Sequence, residues 1–196
     1  LLTCHMGNFE LMASGIAKTN LRPTVLYRRL DFAPVERLVK EMRERFGVTA
    51  MPIRKAAPKV IDALSKGRVI ATLLDQNVDW YKGVFVDFFG RRACTNSGLA
   101  KLVLQTDTPV LPLFIRKENQ RFIMEFLPEL PIVRTGDPIK DIENNTQTFV
   151  TAVESMVRRA PEQYFWVHNR WKTRPYSRVE DRPVQDSVTA QGTGTD

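Results

Sequence analysis

Leu1-Leu2-Thr3-Cys4-His5-Met6-Gly7-Asn8-Phe9-Glu10 is the stretch on which the reading of the fold turns. Its first four residues read as a buried strand. Gly7 supplies a tight turn, and Asn8 is a good N-cap for a helix running to about Lys18. A strand delivers a histidine to a turn, and a helix starts at once.

The same alternation continues down the chain. Thr24 to Tyr27 and Thr49 to Ile53 read as strands. Between them the spacing predicts a helix over 34–46. Val35, Leu38, Val39, Met42 and Phe46 share one face of it, and charged residues cover the rest. Pro34 suits its first turn and Gly47 its stop. A helix over 58–65 ends at Gly67, and Val69 to Leu74 is an apolar strand of the kind buried on both faces. A polar loop spans 75–83. Val84 to Phe88, Pro109 to Ile115 and Arg121 to Phe126 follow as strands, with helices over 97–105 and 139–159. Short strands alternating with amphipathic helices predict an α/β fold, with a mixed, largely parallel central sheet flanked by helices.

The chain has 196 residues, enough for one domain with a sizeable core. It lacks an initiator Met and opens inside an apolar strand. The expectation is an N-terminally truncated domain over 1–175, followed by a disordered polar tail over 176–196. No apolar run approaches the ~20 residues of a membrane span. Net charge is +7, and the acidic tail leaves the body more basic still. Such a body calls for an anionic partner, whether a lipid surface, a phosphorylated substrate, nucleic acid or an acidic protein. Cys4 and Cys94 are too few for a disulfide framework and are expected to be reduced. Asp75, Asn77 and Asp79 lack the spacing of a calcium loop, and the two histidines lie far apart in sequence, so no metal is expected.

The chemistry-bearing group is His5 with Glu10. The turn brings the Glu10 carboxylate back toward the imidazole, so one ring nitrogen can bond Glu10 while the other faces a substrate. That is the base and orienter of a triad whose nucleophile is a substrate hydroxyl. A positioned base is needed because a hydroxyl does not ionise alone at neutral pH. Cys4, one residue from His5, points to the opposite face and reads as core.

His5 to Glu10 resembles the His-x4-Asp/Glu block of the glycerolipid acyltransferase superfamily. Asn8-Phe9-Glu10 is most similar to the late acyltransferases of lipid A biosynthesis, the lauroyl and myristoyl transferases. Further blocks agree in order: Val25-Leu26-Tyr27-Arg28, Leu74-Asp75-Gln76, Phe88-Phe89-Gly90 with Thr95, Val110-Leu111-Pro112 through Arg116, and Trp166 through Lys172. Phe9 stands where the family often has Trp, and Arg92 where it often has Pro.

The resemblance implies a glycerolipid-acyltransferase-like fold and acyl transfer from acyl carrier protein or coenzyme A to a hydroxyl of a lipid A precursor. It implies no cofactor. The partners would be that donor, a phosphorylated glycolipid and a membrane surface, with no nucleic acid, at the cytoplasmic face of the inner membrane of a Gram-negative bacterium. His5 and Glu10 are the catalytic candidates. Gly7, Asn8, Tyr27, Arg28, Asp75, Gly90, Thr95 and Arg116 are the substrate-binding candidates. Among these, Gly7 and Gly90 offer backbone N–H groups to an oxyanion, and Arg28 and Arg116 clamp phosphate. Asp75 supports the site by hydrogen bonding. Arg29 is a weaker phosphate candidate, and His168 is expected to be structural. Trp80, Tyr81 and Lys82 form a candidate membrane contact. The competing readings are another lipid acceptor (glycerol phosphate, a lysophospholipid or a mannosylated inositol lipid) and a non-catalytic protein that binds anionic lipid or nucleic acid.

Overall fold

In a computed structural model, residues 1–19, 21 and 23–175 are described. The tail expected over 176–196 lies outside them. The first half builds a parallel sheet from β1 (Leu2–Thr3), β2 (Pro23–Tyr27), β3 (Thr49–Pro52) and β4 (Val69–Leu73), in the order β1-β4-β2-β3. The connecting helices are α1 (Phe9–Ala17), α2 (Ala33–Glu44) and α3 (Ala57–Ser65). The chain moves one way across the sheet through α1 and α2, then returns through α3 to insert β4. Right-handed crossovers therefore put α1 and α2 on one face and α3 on the other, and α1 packs against α2 while α3 packs against α4 (Gly98–Thr106).

The second half adds two antiparallel hairpins, β5 (Gly83–Phe88) with β6 (Arg91–Asn96), and β7 (Leu113–Glu118) with β8 (Arg121–Phe126). The segment before β7 runs alongside β1, where the Leu2 N–H donates to the Leu111 carbonyl at 3.0 Å. The long helix α5 (Pro138–Arg159) packs Phe149, Val153, Met156 and Val157 into the main core with Leu2, Cys4, Met6 and Phe88.

The expected α/β class and nearly all the elements are present. One strand was not foreseen: β6 exists because Phe89 and Gly90 both take positive φ, 53° and 71°, and close a two-residue hairpin. Phenylalanine at that position gives no warning of it. The strand expected from Pro109 starts only at Leu113, because Pro109 and Pro112 have no N–H for a ladder. In α2 the apolar stripe is solvent-exposed, with no residue of the helix buried. No helix among the described residues is long and apolar enough to cross a membrane.

Candidate active site

β1 and β4 are neighbours paired Leu2 with Thr72 and Thr3 with Leu73. Carrying that register two residues further sets His5 level with Asp75, just beyond the carboxyl ends of both strands. Crevices at the carboxyl edge of a parallel sheet are where such folds bind ligands. Asp75, buried at 4% exposure, grips His5 twice. One oxygen accepts the His5 main-chain N–H at 3.1 Å, and the other lies 2.9 Å from Nδ1. With Nδ1 donating to Asp75, Nε2 is left as an acceptor, and the Gln76 amide stands 3.4 Å from it. The edge of Phe9 lies against the imidazole at 4.9 Å, with Phe165 beyond at 6.4 Å.

The turn carrying His5 is stitched to the segment after α5. Phe165 N–H donates to the His5 carbonyl at 3.0 Å, and Gly7 N–H to the Gln163 carbonyl at 2.9 Å. Gly7 has φ of +56°, and a β-carbon there would come within 2.5 Å of the Ile115 carbonyl oxygen. Asn8 caps α1 as expected, accepting from Leu11 N–H at 3.0 Å.

The same strap holds the loop after Asp75. His168 Nε2 accepts the Asn77 N–H at 2.8 Å, and Thr173 exchanges two 3.0 Å bonds with the Asn77 side chain. Burial pushes the His168 imidazole below its ordinary pKa, consistent with a neutral acceptor nitrogen. Arg170, at 2% exposure, donates to the Cys94 carbonyl at 2.9 Å and to Thr95 Oγ1, over the ring of Phe88. Burial lowers its pKa, opposed chiefly by Tyr164 and Asp75.

Several expectations need correction. Glu10 does not orient His5. Its carboxylate is taken by Arg43 of α2, through Nε at 3.0 Å and through Nη2, and Asp75 is the acid on the imidazole. Helix α1 turns Glu10 toward α2, whereas the strand register brings Asp75 to His5. The Gly7 N–H is occupied by Gln163 and is not free for an oxyanion. Thr95 is fully buried against Arg170, so it supports the loop and does not line a substrate surface. Gly90 stands in the β5–β6 turn with φ of +71° and open space around it. Asp75 does hydrogen-bond the site, and Cys4 is core, its thiol pushed well above the ordinary range by burial and by Asp75. Trp80 and Tyr81 are exposed, as a surface contact requires.

Arg28 lines a cleft of about 510 Å³ with Tyr27, Arg29, Ile53, Arg54 and Lys59, at the carboxyl ends of β2 and β3. Arg54 and Lys59 were missed, because a lone surface cation carries no signal until the sheet gathers four of them. The Tyr27 hydroxyl is not free, since it donates to Glu36 at 2.6 Å. Arg116 is paired with Glu118 and stands 3.9 Å from Glu125, so acids already compete for it. Gly7 and Asn8 line a second, open groove of about 600 Å³ with Lys117, Asn119, Phe122 and Gln163.

Residues 1–173 match the family described as bacterial lipid A biosynthesis acyltransferase, and the chain belongs to that family. It is 31% identical over 134 residues to a lipid A biosynthesis acyltransferase of Haemophilus influenzae, covering 67% of this chain and 40% of that protein. A lipid A biosynthesis lauroyltransferase of Escherichia coli is 30% identical over 62% of this chain and 40% of its own length. A phosphatidylinositol mannoside acyltransferase of Mycolicibacterium smegmatis is 23% identical over 85% of this chain and 54% of its own. The matches to the first two span about two fifths of those relatives' length.

Proposed function

We propose that this chain carries the catalytic centre of an O-acyltransferase that moves a fatty acyl group from a thioester donor to a hydroxyl of a lipid A precursor, with His5 as general base. The observation that carries the reading is the doubly held His5–Asp75 pair at the carboxyl edge of the sheet.

Asp75 accepts from Nδ1, which leaves Nε2 to take the proton of the acceptor hydroxyl. The alkoxide oxygen attacks the thioester carbonyl. The tetrahedral oxyanion then collapses, breaking the carbon–sulfur bond, and the departing thiolate recovers the proton from His5. The imidazolium formed between these steps is stabilised by the Asp75 carboxylate. Phe9 and Phe165 give the imidazole apolar neighbours suited to an acyl chain. Glu10 acts through Arg43, tying α1 to α2 and so holding the turn that presents His5.

The acceptor is a phosphorylated glycolipid, and Arg28, Arg29, Arg54 and Lys59 supply the cations for its phosphate. The donor is acyl carrier protein or acyl-coenzyme A. The reaction takes place at the cytoplasmic face of the bacterial inner membrane. The mycobacterial relative, matched over most of this chain, makes a mannosylated inositol lipid the second acceptor to test.

The experiment is transfer from a radiolabelled acyl-carrier-protein thioester to purified under-acylated lipid A precursor, comparing the full protein with His5→Ala. Loss of transfer in a folded variant supports the reading. Undiminished transfer by His5→Ala would remove the mechanism, and a wild-type protein that acylates only the inositol lipid would move the acceptor.

A further inference from the structure

Helix α2 is amphipathic with its faces reversed. Its inward flank is charged: Arg43 binds Glu10 and sits 5.3 Å from the Tyr27 ring centre. Glu36 accepts from the Tyr27 hydroxyl at 2.6 Å and from Leu30 N–H at 2.9 Å. Its apolar stripe points to solvent, with Leu38 56%, Met42 58% and, just past the helix, Phe46 52% exposed. A helix on a water-facing surface normally turns this stripe to the core. At the other end the N-cap is Phe32, 65% exposed and making no capping bond, where a polar residue is usual. A contiguous exposed apolar surface marks a contact with something other than water.

Charge identifies the occupant. Arg28 and Arg29 stand just before Phe32 in the chain, and with Arg54 and Lys59 they line the cleft that also holds Ile53, 50% exposed, so cations gather at the end of the sheet where α2 and its stripe begin. Of the acids on α2, Glu36 is spent inward, and Glu41 and Glu44 lie 3.9 and 3.8 Å from Arg37 and Lys40. A second copy of the chain would bring like charges together. An anionic bilayer would satisfy both components, with acyl chains for the stripe and headgroup phosphates for the cations.

We propose that the outward face of α2, with Phe32 and Ile53, is the surface by which the protein docks on anionic phospholipid. The start of α2 and the cleft lie at the same carboxyl edge as His5, so docking there holds the catalytic crevice at headgroup level. The inference rests on the membrane location in the proposed function, but not on transfer itself.

The test is flotation of the full protein with vesicles of phosphatidylcholine alone or mixed with phosphatidylglycerol, for wild type, Leu38→Glu/Met42→Glu and Trp80→Ala. The wild type is expected to float with the anionic vesicles and to release in salt. Leu38→Glu/Met42→Glu is expected to bind at least about tenfold more weakly, with its melting temperature kept, while Trp80→Ala, at the other exposed contact, loses less than the double variant. Equal flotation of the double variant, or loss confined to Trp80→Ala, overturns the proposal. So does a sharp fall in the double variant's melting temperature, which would mean that the rest of the chain covers the stripe, or a dimer that the substitutions dissolve. Transfer to detergent-dispersed acceptor is assayed in parallel: a wild type that transfers but does not float sinks the docking surface alone. One that floats through α2 but does not transfer sinks the proposed reaction alone.

Discussion

Asp75 holds His5 at two points, the main-chain N–H at 3.1 Å and Nδ1 at 2.9 Å, across 70 residues of sequence. One carboxylate therefore sets both the position of the histidine and the tautomer of its ring. The Asp75→Asn protein is expected to fold and to lose about 10²–10⁴-fold in kcat with little change in KM. Steady-state transfer kinetics check this, and a kcat within a fewfold of wild type would remove Asp75 from the mechanism.

Glu10 and Arg43 act as one unit. Glu10→Gln and Arg43→Gln are each expected to lower transfer, and the double variant to be no worse than the poorer single one. The coupling should fall in the range of about 0.5–3 kcal/mol typical of residues in direct contact, toward the lower part because Glu10 is half exposed. Additive losses would show that Glu10 works on something other than Arg43.

Gly7 has no room for a side chain. Its φ is +56° and the Ile115 carbonyl oxygen lies where a methyl would go. Gly7→Ala is expected to cost about 1–3 kcal/mol in urea unfolding and to reduce transfer as well, since the turn that presents His5 must shift.

His168 makes the loop after Asp75 sensitive to acid. Burial lowers its pKa in the folded protein, so the neutral form is the one that folding favours. Its contribution is fully present above the unfolded value of about 6.5 and is lost as pH falls below that, through the folded value. Protonation removes the acceptor for the Asn77 N–H, with Asp75, Arg170 and His5 as the neighbouring charges. Corrected for its intrinsic pH dependence, hydrogen exchange at the Asn77 amide should speed up in acid for the wild type. In His168→Gln, whose amide oxygen does not titrate, that acceleration should be absent.

Local pattern was enough for most elements and for part of the site. The His5-Met6-Gly7-Asn8 turn, the cap at Asn8, the long helix ending at Arg159 and the burial of Cys4 all follow from residue type and spacing over a few positions. Block order pointed to Asp75 as a hydrogen-bonding support, though not to its partner atom. Which acid meets the imidazole was decided by tertiary structure: Glu10 is close in sequence, yet α1 directs it to Arg43, 33 residues away. The pairing of β1 with β4 delivers Asp75 instead. The direction of the α2 stripe was likewise open. Periodicity defines an apolar face but not what lies opposite it, and here two charged contacts, Glu36 with Tyr27 and Arg43 with Glu10, hold the polar flank inward. Sequence encodes periods and caps because those depend on neighbours along the chain. Partners depend on register and packing between distant segments, and these exist only once the sheet has formed.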